Sequence, residues 1–330
     1  MPYPELDRRC LRFRPLAERR NRVSVTKDFV SPGAAPRSLS AAAAGVVEET
    51  AGRIREARRR QGPVILAFGA HTIKNGLAPV LIRLMERGWL THLATNGAGI
   101  IHDWEFAFQG MSSEDVRTNV ARGCFGLWEE TGYFLNLALA VGAFEGRGYG
   151  EAVGAMIERQ GLEIPDQDTL TATVQQTVAT NPEHAAAAAD LLAVVRTGGV
   201  PAGWLAVAHP HRAASVQAAA YRLGVPFTGH PMIGHDIIYT HPLNHGGAVG
   251  RTALRDFLRF AHAVGRLRDG VYLSVGSAVM SPMIFEKAFA MAQNLAWQEG
   301  GPIESHFLVV VDLAEAPWDW QRDGEPPENH

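Results

Sequence analysis

The fold turns on residues 62–99, which read GPVILAFGAHTIKNGLAPVLIRLMERGWLTHLATNGAG. VILAF (64–68) is a continuous apolar run of strand length, the pattern of a parallel strand buried on both faces. Gly69 ends it. Apolar residues at 80, 81, 82, 84 and 85 then mark a helix over 77–87, closed by Gly88. THLAT (91–95) is the next strand, and it breaks into Asn96-Gly97-Ala98-Gly99. Strand, helix and strand within about 32 residues form a β-α-β unit, the building block of a doubly wound sheet.

The same plan recurs near the other end of the chain. GVYLSVGSAVMSPMIFEKAFAMAQN (270–294) supplies glycine, apolar strand, Gly-Ser turn and helix, and FLVVVDL (307–313) supplies the second strand. Two such halves predict an α/β fold with a doubly wound, mostly parallel, Rossmann-like sheet. Between them lies a helical insertion near 105–195, with helices at 112–122 (opening on a SSED capping box), 127–141, 149–160 and 182–195. The sheet resumes with WLAVA (204–208), a helix over 211–223 and VPFTG (225–229), followed by a helix over 251–265. Ahead of the first strand, 38–60 reads as an amphipathic helix capped by Ser38 or Ser40. The organisation predicted is an N-terminal arm (1–37), one domain (38–315) and an irregular tail (316–330).

Composition narrows the function. The 330 residues are 46% hydrophobic with a net charge of −3. There is no basic stripe, which argues against nucleic acid as a partner. Cys10 and Cys124 are the only cysteines, too few for a zinc ribbon or a disulfide framework. The arginine-rich start lacks the apolar core of a secretory signal, and no run approaches membrane-spanning length. A cytoplasmic protein without membrane contact is expected. Only Lys27, Lys74 and Lys287 can supply an amine nucleophile.

Ligands of open α/β sheets bind outside the carboxyl ends of the strands. Four such ends stand out: Gly69–Gly76, Asn96–Asp103, Gly229–His245 and Gly276–Pro282. Asn96-Gly97-Ala98-Gly99 reads as a backbone cradle, with His102 and Asp103 facing the same crevice; the bland alternative is a tight turn with both residues capping a helix. No GxGxxG fingerprint occurs. GHPMIGHDIIYTHPLNHGG (229–247) gathers His230, His235, Asp236, His241 and His245. Acid–base or substrate-binding roles are the first reading, and a zinc or iron site the second. Lys74 suits a phosphate or carboxylate partner, or simple solvation at a helix start.

The order of VILAFGAHTIKNG, THLATNGAGIIHD, VPFTGHPMIGHDIIYTH, YLSVGSAVMSPMIFEKA and FLVVVD resembles the deoxyhypusine synthase family over most of residues 40–315. The resemblance implies an NAD-binding Rossmann-like domain and a homotetramer with active sites at subunit interfaces. It implies NAD contacts from Gly69, Ala70, His71 and Asn75, from Thr95, Asn96, Gly97 and Gly99, and from Gly276 and Ser277. Asp236 matches the family's polyamine-binding aspartate. The family's catalytic lysine has no counterpart, because AEAPWDWQRDGEPPENH (314–330) contains none, and Met280-Ser281-Pro282 replaces its Lys-His-His. The expectation is therefore an NAD-dependent transferase or oxidoreductase acting on a small amine or polar metabolite, but not by the family's covalent route. His102 or His235 is the base, Asp236 holds a substrate cation or orients an imidazole, and Lys74 is the remaining imine candidate. Asp103, His241 and His245 are candidate substrate contacts, and Trp318 and Trp320 are candidate interface residues. A metal-dependent enzyme using the histidine cluster and a non-catalytic oligomeric binding protein are the alternatives.

Overall fold

The computed structural model describes residues 3–36, 38–313, 322 and 324. In chain order the elements are β1 (Val23–Ser24), α1 (Ala41–Arg59), β2 (Val64–Phe68), α2 (Ala70–Lys74), α3 (Ala78–Glu86), β3 (His92–Asn96), α4 (Gly97–Gln109), β4 (Met111–Ser112), α5 (Val116–Ala121), α6 (Glu129–Phe144), α7 (Tyr149–Arg159), β5 (Gly161–Ile164), α8 (Gln167–Thr177), α9 (Pro182–Gly198), β6 (Gly203–Ala206), α10 (Val216–Leu223), β7 (Phe227–His230), α11 (Gly246–Gly265), β8 (Val271–Val275), α12 (Met280–Gln298) and β9 (Phe307–Val311).

The central sheet has the order β7-β3-β2-β8-β9, with every pairing parallel. By appearance in the sheet these are the third, second, first, fourth and fifth strands. The chain thus winds outward one way from β2 and then the other way from β8, the doubly wound plan expected from the two β-α-β halves. All residues of β2 are buried, as its unalternating apolar run requires. Ile65, Ala67, Ala94 and Tyr272 pack on one face with Phe260, Val264, Ala288 and Ala292 of α11 and α12. Val64, Leu66, Phe68 and Leu93 join the larger core on the other face, built with α3, α4, α6 and α7.

Several local expectations are corrected. WLAVA is not part of the central sheet; β6 pairs antiparallel with β5, in a separate ribbon. The SSED capping box does not form. Ser112 lies in β4, and Asp115 caps α5 by accepting from the Thr118 amide at 2.7 Å. The chain after β3 is a helix from Gly97 onward, with Asn96 both ending the strand and accepting from the Gly99 amide at 2.9 Å. Ser40, not Ser38, caps α1. The N-terminal arm packs on the body. β1 pairs with β4, Leu16 is buried, and the Leu16 amide donates to Glu130 at 2.6 Å. Trp318, Trp320 and nearly all of the lysine-free tail lie outside the described residues. Among the described residues, no helix is long and apolar enough to cross a membrane.

Candidate functional site

Parallel register places the strand-end turns on one edge. Phe68 lies opposite Thr95 and Val275, and Asn96 lies opposite His230, so Gly69, Gly97 and Gly276 all leave the sheet at the same end. Beyond that edge lies a cavity of about 150 Å³, lined among others by Lys74, His102, His235 and Asp236. These four come from α2, α4 and the loop after β7, and they are the four residues singled out above for chemistry. The remaining polar lining is Arg19, Glu105, Ser113 and Glu114.

His102 heads a buried relay. Its Nδ1 lies 2.7 Å from Ser112 Oγ, and Ser112 Oγ donates to Glu105 Oε2 at 2.5 Å. Glu105 receives both arms of Arg19, at 2.7 and 2.6 Å, and Thr131 Oγ1 at 3.2 Å. Burial alone would raise the Glu105 carboxyl, but the Arg19 charge overrides it and holds the group below the ordinary carboxylate value. Glu105 is therefore an acceptor, the Ser112 proton points to it, and Ser112 must accept from His102 Nδ1–H. That fixes the tautomer and leaves Nε2 as the nitrogen with the free lone pair. Burial keeps the imidazole neutral by lowering its pKa to about 4. Sequence reading missed Glu105, Ser112 and Arg19. The i,i+3 spacing of His102 and Glu105 on one helix was the only available hint.

Asp236 sits over the first turn of α4. A Cβ on Gly97 would fall 1.9 Å from its Oδ2, so only glycine admits the carboxyl there. Oδ2 is buried without a hydrogen-bond partner, and burial pushes the pKa up to about 7. The Lys74 side chain makes no hydrogen bond or salt bridge among the described residues, and its charge acts on His102. Glu114 is used structurally, accepting from the Gly126 amide at 3.2 Å and from Trp128 Nε1 at 2.9 Å.

Other expected site residues are placed elsewhere. Asp103 is fully buried and does not line the cavity. Its oxygens accept from Ser215 Oγ at 2.6 Å, from the Val216 and Gln217 amides and from the Gln217 side chain, pinning the start of α10. His241 is buried beside Phe13, Tyr133 and Glu129, and its Nδ1 accepts from the Leu243 amide. His245 precedes α11 with Nδ1 3.9 Å from Asp190. Neither lines the cavity. His230 is buried with Nε2 3.0 Å from Thr228 Oγ1 and its ring against Phe260. The five-residue metal reading fails for this reason: the side chains disperse, and no group of three potential ligands is assembled among the described residues.

The proposed backbone cradle is also corrected in part. Gly97 faces Asp236, Gly99 faces the Thr95 side chain, and Thr95 Oγ1 donates to the Phe68 carbonyl at 2.9 Å. These residues serve packing. The open turn is the one after β8. Gly276 is exposed with φ of +57°, and a Cβ there would meet nothing within 4 Å. Ala70, His71 and Asn75 reach the same edge and are at least partly exposed. Gly69 joins the two turns. Its amide donates to the Val275 carbonyl at 3.1 Å, and a Cβ would lie 2.0 Å from the Gly276 oxygen. Gly69→Ala forces two backbones apart and is expected to cost about 1–3 kcal/mol or more. Urea unfolding checks this; a cost below about 0.5 kcal/mol would show that the turns do not meet.

No family model matches the chain, and no curated protein matches it in sequence. Solved structures give distant likenesses. The ternary complex of AgrE with ornithine and NAD+ aligns at a TM-score of 0.39 and 17% identity, over 84% of this chain and 32% of that one. A conserved putative LOR/SDH protein from Methanococcus maripaludis S2 aligns at 0.38 and 12% identity, over 85% and 67%. A putative deoxyhypusine synthase from Entamoeba histolytica aligns at 0.34 and 11% identity, over 72% of each. The chain spans about a third of the AgrE length. The fold assignment rests on the strand order described above, not on these likenesses.

Proposed function

We propose that the protein is a nicotinamide-dinucleotide-dependent oxidoreductase or transferase acting on a small polar metabolite that carries an amine or hydroxyl. One observation carries the reading: a neutral imidazole of fixed tautomer, His102, opens on a small cavity at the carboxyl edge of a doubly wound sheet. The winding reverses between β2 and β8, where such sheets take dinucleotides. The turn after β8, with Gly276 and Ala278 exposed ahead of α12 and Gly69 packed against it, fits a backbone-held phosphate group. A nicotinamide dinucleotide held there supplies the acceptor for a hydride leaving the substrate carbon. His102 Nε2 takes the proton from the adjacent nitrogen or oxygen. Glu105, through Ser112, stabilises the imidazolium that results. Asp236 holds the substrate.

Formation of reduced nicotinamide, followed by absorbance across a panel of small amines, amino acids and hydroxy acids, tests the reading. Reduction with at least one member is expected. No reduction with any member, at saturating cofactor, would overturn it.

Self-association belongs to the same proposal. Edge strand β9 exposes Leu308, Val310 and Val311, apolar surface that a second copy would cover. Light scattering is expected to return an oligomer, and a monomer would remove this part.

A further inference from the structure

We propose that the cavity takes a zwitterion, a small amino acid whose carboxylate pairs with Lys74 and whose ammonium pairs with Asp236. The assignment rests on the cavity being the substrate site, as in the proposed function, but not on the cofactor.

The pairing of polar groups within the cavity leads to it. Arg19 and Glu105 neutralise each other through two short hydrogen bonds. Both oxygens of Glu114 are already occupied by neutral donors, from Asn119, Gly126 and Trp128, which hold its carboxylate in place. His102 is neutral and tied to Ser112. Two groups of opposite sign remain without a hydrogen-bonded partner among the described residues: the Lys74 ammonium, contributed by α2 after β2, and Asp236 Oδ2, contributed by the loop after β7. They reach the cavity from separate elements, and no salt bridge joins them. A simple amine leaves Lys74 without a counter-ion and adds a second cation beside it. A simple acid does the reverse at Asp236. Only a molecule carrying both charges matches both residues. Size agrees: about 150 Å³ at interior packing density holds roughly eight to ten heavy atoms. Ile101, Phe125 and Ile237 supply apolar wall for a short side chain. His102 then stands with its free Nε2 in the same cavity as the amine whose proton it would take.

The test uses the full-length protein and three matched sets of probes. L-norvaline is compared with butylamine and pentanoate, L-2-aminobutyrate with propylamine and butyrate, and L-norleucine with pentylamine and hexanoate. Binding is read by calorimetry, with and without NAD+. At least one amino acid is expected to bind ten-fold or more tighter than both of its single-charge partners. Lys74→Met should abolish the preference over the amine, Lys74→Arg should keep it, and Asp236→Asn should abolish the preference over the acid. Thermal unfolding confirms that each variant is folded. Equal binding within every set, no binding in any set, or a preference untouched by both Lys74→Met and Asp236→Asn would overturn the assignment. Amino-acid binding without NAD+ binding would keep it and sink the oxidoreductase reading. NAD+ binding without discrimination among probes would do the opposite.

Discussion

Arg19→Met is expected to destabilise the fold by about 3–5 kcal/mol, the usual cost of removing one partner from a buried ion pair. The Arg19 and Glu105 side chains are 2% and 1% exposed. Without the guanidinium, the nearly fully buried Glu105 carboxylate keeps only Ser112 and Thr131 as hydrogen-bond partners. It would then be forced to take up a proton, and the relay to His102 would lose its anchor. Replacing both partners, Arg19→Met with Glu105→Leu, should recover much of the loss, because a buried pair exchanged for apolar side chains of similar volume is often close to neutral. Chemical denaturation of the two variants decides the matter. A single-variant cost below about 1 kcal/mol would mean that the pair is not buried as described.

His102→Gln is expected to lower kcat/KM by about 10²–10⁴, the range for loss of a positioned base. Glutamine preserves polarity and approximate size, so folding should survive. The pH profile supplies an independent check. Asp236 faces Tyr239 and Tyr149, both with phenols raised by burial, and it lies beside His235 in sequence. With its pKa pushed up to about 7, the free enzyme holds Asp236 partly protonated near neutrality. Binding of a cation requires the ionised form. The value of kcat/KM should therefore rise with pH through about 7, while kcat, which reports the complex, stays flatter because the bound cation lowers that pKa. Neutral His102 imposes no limb until about 4. In Asp236→Asn the rise near 7 should vanish. A rise that persists in that variant would assign the titration to another group.

What could be read from the sequence followed hydrophobic periodicity. Val64–Phe68, the helix after it and His92–Asn96 announce themselves because a strand buried on both faces leaves an unbroken apolar run. Trp204–Ala206 gives the same local signal but pairs with β5, and its residues alternate between exposed and half-buried where β2 is buried throughout. Partner choice lies outside the local pattern. Helix α4 was hidden by its own glycines. Gly97 and Gly99 are poor helix formers, yet the helix needs them because Asp236 and Thr95 press on their Cα atoms. His102, Lys74, His235 and Asp236 were legible as ionisable groups at strand ends, and the shared edge of a parallel sheet brings them together. Arg19 was not legible, since 86 residues separate it from Glu105. The dense histidine run misled for the opposite reason. Neighbours in sequence between His230 and His245 are carried to different places by the end of a strand, an irregular loop and the start of a helix.

On this reading, the edge holding Gly276 and His102 is a dinucleotide site serving a proton-transfer cavity. Calorimetric titration of NAD+ and NADH into the full-length protein tests it most directly. Saturable binding of at least one form is expected, weakened ten-fold or more by Ala278→Trp in the exposed turn after β8. Absence of heat and of NADH fluorescence change at millimolar cofactor, in protein shown to be folded, would contradict it.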